Sequence, residues 1–186
     1  MRDHSSTLLL FGATGDLSRR MLLPSLYALH ADGLIQQDLR IFGTARSPMT
    51  DDGFRDMARA ALSEFLPDDR KAEGLMDAFL QRLHYVTLDA SNPNGFAELA
   101  ITIGDISGGM SIFLSTAPSL FEATIKGLHN AGLSGETVRI GLEKPLGNDL
   151  VSSCHINDAV NAVFPEKRTF RIDHYLGKET VQNLMA

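Results

Sequence analysis

A chain of 186 residues, 44% hydrophobic and 22% charged, is large enough for one well-buried domain and leaves little room for a second. Its net charge of −6 offers no global basic field, so neither nucleic acid nor a membrane surface is an expected partner, and an anionic substrate needs local basic residues. The single cysteine, Cys154, excludes a disulfide within the chain and fits a reducing, cytoplasmic setting; no metal site is expected.

The apolar run Thr7 to Phe11 stops at Gly12. It is too short for a signal core or a membrane span and suits a strand buried on both faces. From 17 to 30, apolar residues at Leu22, Leu23, Leu26, Tyr27 and Leu29 follow a helical spacing. A second short strand is expected at 40–43. Two acidic-rich helices, 51–65 and 69–82, are divided by Pro67. Strands are expected at 83–88 and 110–115, then a helix over 118–130 that Gly132 stops. A strand at 138–142 is cut by Pro145, and a helix over 148–163 ends before Pro165. A final strand covers 168–172, and Lys178 opens another helix. Strands alternating with helices predict an α/β fold: a doubly wound, mainly parallel sheet with helices on both faces, forming one domain over 1–186.

Gly12-Ala13-Thr14-Gly15-Asp16-Leu17-Ser18 lies between the first strand and the first helix. Glycines there permit a tight turn and let a pyrophosphate approach without a Cβ in the way. The amides of the first helical turn, aided by the helix dipole, would meet the phosphate charge. The spacing matches the common dinucleotide fingerprint only in part. A ligand-free turn in which Asp16 caps the helix accounts for the same residues. Beyond the second strand, Gly43-Thr44-Ala45-Arg46-Ser47 carries an arginine and no acid. An acid there would bond a ribose 2′-hydroxyl, whereas a guanidinium suits a 2′-phosphate, so NADP is expected over NAD. A solvated surface arginine is the alternative.

Two further blocks stand at strand ends. Glu143-Lys144-Pro145-Leu146-Gly147 places a lysine where doubly wound sheets bind ligands, and its proline admits a cis bond. A strand-ending turn with a surface lysine is the plainer reading. Arg171-Ile172-Asp173-His174-Tyr175-Leu176-Gly177-Lys178-Glu179 packs a carboxylate, imidazole, phenol and ammonium into one turn. Core packing does not ask for that mixture, although a satisfied polar corner could hold it. Histidine and lysine can hold a phosphate, and aspartate can orient an imidazole.

In their order along the chain these blocks resemble the glucose-6-phosphate dehydrogenase family, the last block being its most specific signature. The resemblance implies a Rossmann-like cofactor domain. It implies that Gly12, Ala13, Thr14, Gly15, Asp16, Leu17 and Ser18 cradle NADP, that Arg46 with Ser47 holds its 2′-phosphate, and that Asp89 and Ala90 line the cofactor. Lys144, with Pro145 as its cis partner, would lie between cofactor and sugar. His174, Tyr175 and Lys178 would grip the phosphate of glucose 6-phosphate, and Asp173 would orient the catalytic base. Phe121 stands at a place near the cofactor where some relatives carry tyrosine.

The resemblance further implies NADP-dependent oxidation of D-glucose 6-phosphate to 6-phosphoglucono-lactone, the first step of the oxidative pentose phosphate pathway. The family's general base is a second histidine beyond the signature. None of His4, His30, His84, His129 and His155 carries its surrounding pattern. That base and a C-terminal α+β domain are expected to lie outside these residues, so the chain alone should bind NADP, and NAD more weakly, with little turnover. Family members form homodimers or tetramers, and this chain is expected to self-associate through apolar surface at its last sheet edge. A non-catalytic NADP or sugar-phosphate module, half of a split enzyme, and an unrelated dinucleotide reductase remain the competing readings.

Overall fold

The computed structural model describes residues 5–173. Among the described residues six strands form one sheet of order β3-β2-β1-β4-β5-β6, every neighbouring pair parallel: β1 Thr7–Phe11, β2 Arg40–Ala45, β3 Leu83–Thr87, β4 Met110–Leu114, β5 Val138–Glu143 and β6 Thr169–Ile172. The helices are α1 Leu23–Ala31, α2 Asp51–Phe65, α3 Glu73–Leu80, α4 Gly95–Ile103, α5 Phe121–Asn130 and α6 Leu150–Asn161. This is the doubly wound α/β architecture expected from the alternation of strands and helices.

Strand β1 reads as unbroken apolar sequence because both of its faces are covered. Leu9 and Phe11 belong to one core with Phe96, Phe121 and Phe164, whereas Leu10 joins another with Tyr27, Phe54 and Phe79. A parallel sheet sandwiched by helices has no wet face, so the hydrophobic alternation of a half-exposed strand is lost. None of the helices among the described residues is long and apolar enough to cross a membrane.

Three local departures from expectation have physical causes. The first helical segment contains a π-helical turn, Ser18–Leu22, before α1. Pro24 lacks the amide that would continue the regular ladder, and the Leu23 amide reaches back five residues to the Ser18 carbonyl. The second acidic helix is shorter than 69–82: a 3₁₀ turn over Asp68–Arg70 precedes α3. Helix α4 was not anticipated. Its buried face is Phe96, Leu99 and Ile103, a helical spacing masked by turn-forming Asn92, Pro93 and Asn94 before it and by exposed Ile101 within it. The helix expected from Lys178 lies outside the described residues.

The strand order reverses direction between β1 and β4, since the chain runs outward from β1 through β2 and β3 and then returns to β1's other side. In doubly wound sheets the crevice beyond the strand ends at such a point is where ligands bind.

Candidate cofactor cleft and sheet-edge ion pair

A cleft of about 330 Å³ opens at that switch point, beyond the carboxyl ends of β1, β2 and β4. Gly12, Thr14 and Gly15 form its floor; Thr44 to Ser47 form one wall, and Ser115 to Ala117 with Leu120 form another. Leu88 and Ala90 close the far end.

Gly12 has φ +75°, and an added Cβ would meet the Ser115 carbonyl oxygen at 2.7 Å. Its backbone therefore lies hard against the end of β4 in a conformation that favours glycine. The Gly12 and Ala13 amides both donate to the Thr44 carbonyl, at 3.0 and 3.2 Å, and the Gly15 amide donates to the Gly12 carbonyl at 2.9 Å. These three amides shape the loop instead of pointing to a ligand. Donors for an anion must come from Thr14 and from the amides that open the helix, which have no carbonyl a turn behind them.

The expected cofactor residues separate in space. Gly12, Thr14, Gly15, Arg46, Ser47 and Ala90 line the cleft, while Ala13 is fully buried beneath it. Asp16 is exposed and belongs to a separate shallow pocket with Arg19, Arg20 and Glu64. Asp16 already lies within the helical segment, one residue past where a cap would stand, so it is not the cap. Leu17 is half-buried; Ser18 is fully buried, its hydroxyl without a partner. Phe121 is completely buried in the core and does not line the cleft.

Arg46 stands exposed where β2 ends. Asp89 lies near enough for the two charges to interact. Hydrogen bonds from the Ser91 hydroxyl (2.7 Å) and amide (2.9 Å), and then the Arg46 charge, hold the Asp89 carboxyl below the usual range.

Parallel pairing of β5 with β6 brings together two residues 29 positions apart. Lys144 Nζ donates to Asp173 Oδ2 at 3.3 Å, and the Lys144 amide donates to the Ile172 carbonyl at 3.0 Å. The Lys144–Pro145 peptide is cis. This ion pair sits on the same edge of the sheet as the cleft but does not line it. His174, Tyr175 and Lys178 lie outside the described residues.

Thr44, Ser115 and Thr116 were missed by sequence reasoning. The Thr44 and Thr116 hydroxyls are buried in the cleft region without a partner, and Ser115 Oγ donates to the Phe11 carbonyl at 2.6 Å. The available signal was topological: residues following β4 must face Gly12 once β4 is placed beside β1.

The family model described as glucose-6-phosphate dehydrogenase, NAD binding domain, matches residues 9–183. The chain belongs to this family. A glucose-6-phosphate 1-dehydrogenase of Zymomonas mobilis is 58% identical over the whole chain, and one of Mycolicibacterium smegmatis is 41% identical over 95% of it. The chain spans 38% and 37% of the length of these two relatives. A crystal structure of the Mycobacterium avium enzyme superposes with a TM-score of 0.84 at 34% identity, covering 96% of this chain and 38% of that one. A second structure, glucose-6-phosphate dehydrogenase in complex with glucose 6-phosphate, also gives 0.84, at 30% identity, over 97% of this chain and 39% of the other.

Proposed function

We propose that this chain is the NADP-holding part of an enzyme that oxidises D-glucose 6-phosphate to 6-phosphoglucono-lactone, the first step of the oxidative pentose phosphate pathway. The observation that carries the reading is the cleft at the switch point, with Gly12 pressed against β4 on its floor and Arg46 at its wall. The residues present fit the cofactor. Glycines at 12 and 15 let a pyrophosphate approach the backbone, two unpartnered threonine hydroxyls await donors or acceptors, and Leu88, Ala90 and Leu120 offer apolar wall to a flat base.

In this reading the amides opening the first helical turn hold the pyrophosphate, and Arg46 with Ser47 binds the ribose 2′-phosphate. Bound NADP supplies the hydride acceptor. Lys144 directs its ammonium toward the sugar, held there by Asp173, whose own role extends to orienting the base. His174, Tyr175 and Lys178 would hold the substrate phosphate, consistent with the relative described in complex with glucose 6-phosphate. A cytoplasmic location and assembly into dimers or tetramers complete the proposal; half-exposed Phe170 and Ile172 on the edge strand β6 support self-association.

The test is glucose 6-phosphate turnover with NADP, measured for the chain alone and after adding a chain that carries the remaining part of a full-length relative. Little turnover alone and restored turnover after addition is the expected result. Tight NADP binding with no turnover under either condition would instead favour a non-catalytic binding module.

A further inference from the structure

Arg46 is a long, exposed side chain at the end of a strand, and such a group loses much conformational freedom when it is fixed on a ligand. The backbone that carries it is nevertheless tied from below. Tyr85 lies on the edge strand β3, paired with Gly43 of β2, and its side chain is almost fully buried. Its amide donates to Asp51 Oδ1 at 2.7 Å, and its ring packs against Phe54 with centroids 5.4 Å apart. Phe54 fills the space over Gly43, where an added Cβ would come within 2.5 Å of the ring.

Main chain and ring being fixed, the Tyr85 hydroxyl has one direction to point. It donates to the Ser47 carbonyl at 2.7 Å and lies 3.3 Å from the Ala45 carbonyl. The Ala45 carbonyl belongs to the peptide that leads into Arg46, and the Ser47 carbonyl to the peptide one residue beyond it, so the two acceptors bracket the arginine along the chain. Burial pushes the phenol up from its ordinary range, so it stays protonated and remains a donor across physiological pH.

We propose that Tyr85 is a positioning residue for cofactor selectivity: its hydroxyl holds the turn around Arg46 so that the guanidinium is ready for a ribose 2′-phosphate. The inference rests on the role given to Arg46 above. Prior ordering of this kind raises affinity by lowering what must be fixed on binding. A merely structural tyrosine would affect NADP and NAD alike. A positioning tyrosine affects only the cofactor that carries the 2′-phosphate.

The experiment is parallel titration of NADP and NAD into the 186-residue chain, its Tyr85→Phe and Arg46→Ala variants and the double variant, with thermal melts to verify folding. Loss of one hydrogen bond predicts NADP affinity weakened roughly three- to tenfold in Tyr85→Phe, with NAD affinity unchanged. In the Arg46→Ala background the same change should add nothing, because the two act through one contact. Selective loss in Arg46→Ala beside equal or no loss in Tyr85→Phe overturns the tyrosine's role alone. Equal loss of both cofactors in Arg46→Ala overturns the reading of the arginine and this proposal with it.

Discussion

Replacing Gly12 by alanine adds one carbon at the tightest point of the cleft. Two costs follow from the geometry. At φ +75° an alanine sits in the left-handed region, at roughly 1–2 kcal/mol. The new Cβ would also lie 2.7 Å from the Ser115 carbonyl oxygen and 3.0 Å from Ser115 Oγ. Ser115 cannot yield easily, since its hydroxyl donates to the Phe11 carbonyl at 2.6 Å and its amide pairs with the same carbonyl. Overpacking of this kind costs about 1–3 kcal/mol, giving a total of about 2–5 kcal/mol. For a chain of this size each kcal/mol lowers the melting temperature by about 2–4 °C. The effect on NADP should exceed the effect on folding. Displacing the loop removes at least one charge-assisted bond to the pyrophosphate, about 1.5–3 kcal/mol, or roughly 10–150-fold in affinity. Gly33→Ala is the matched control. Gly33 has φ +69° but nothing within 4 Å of an added Cβ, so it should lose a little stability and no affinity. Thermal melts and NADP titration at a temperature where all variants are folded separate the two effects. A folded Gly12→Ala protein that binds NADP as tightly as the unaltered chain would refute the assignment of this loop to the pyrophosphate.

Two further predictions concern stability alone. Asp149 caps α6, accepting from the Ser152 amide at 2.7 Å while Ser152 Oγ accepts from the Asp149 amide; Asp149→Ala should cost about 1 kcal/mol and Asp149→Asn much less, measured by chemical denaturation. Equal losses in the two variants would contradict the capping role. Burial, and then the nearby Arg82 charge, lower the pKa of His30 from its ordinary value near 6.5. The unfolded chain therefore binds the proton first, and stability should fall as pH drops from about 7 through 6.5 toward the lowered native value. Melts across this window should slope less steeply in His30→Gln than in the unaltered chain; parallel slopes would remove His30 as the cause.

Much of the fold is readable from the sequence because parallel strands buried on both faces leave unbroken apolar runs, as at Thr7 to Phe11, and glycine or proline ends them. Helix α4 escaped because its signal consists of three residues, Phe96, Leu99 and Ile103, behind a turn-forming stretch. The π-helical turn needed the consequence of Pro24 to be carried back several residues. Of the cleft, the glycine loop and Arg46 are legible, being unusual residue types at strand ends. Ser115 and Thr116 are not, because serine and threonine after a strand look like any turn until strand order places them opposite Gly12. Gly12 and Ala13 illustrate a deeper limit: the resemblance places both in the cofactor cradle, but it does not reveal that the Thr44 carbonyl already takes both of their amides. Tyr85 reaches its role through a neighbouring strand, at a distance that local patterns do not encode.

Crystals grown with NADP provide the most direct examination of the cleft. The account predicts a pyrophosphate over Thr14 and the helix-opening amides, adenosine along the wall of Leu88 and Ala90, and a 2′-phosphate on the Arg46 guanidinium. An adenosine bound elsewhere on the chain, or an Arg46 side chain turned away from a well-ordered phosphate, would contradict it.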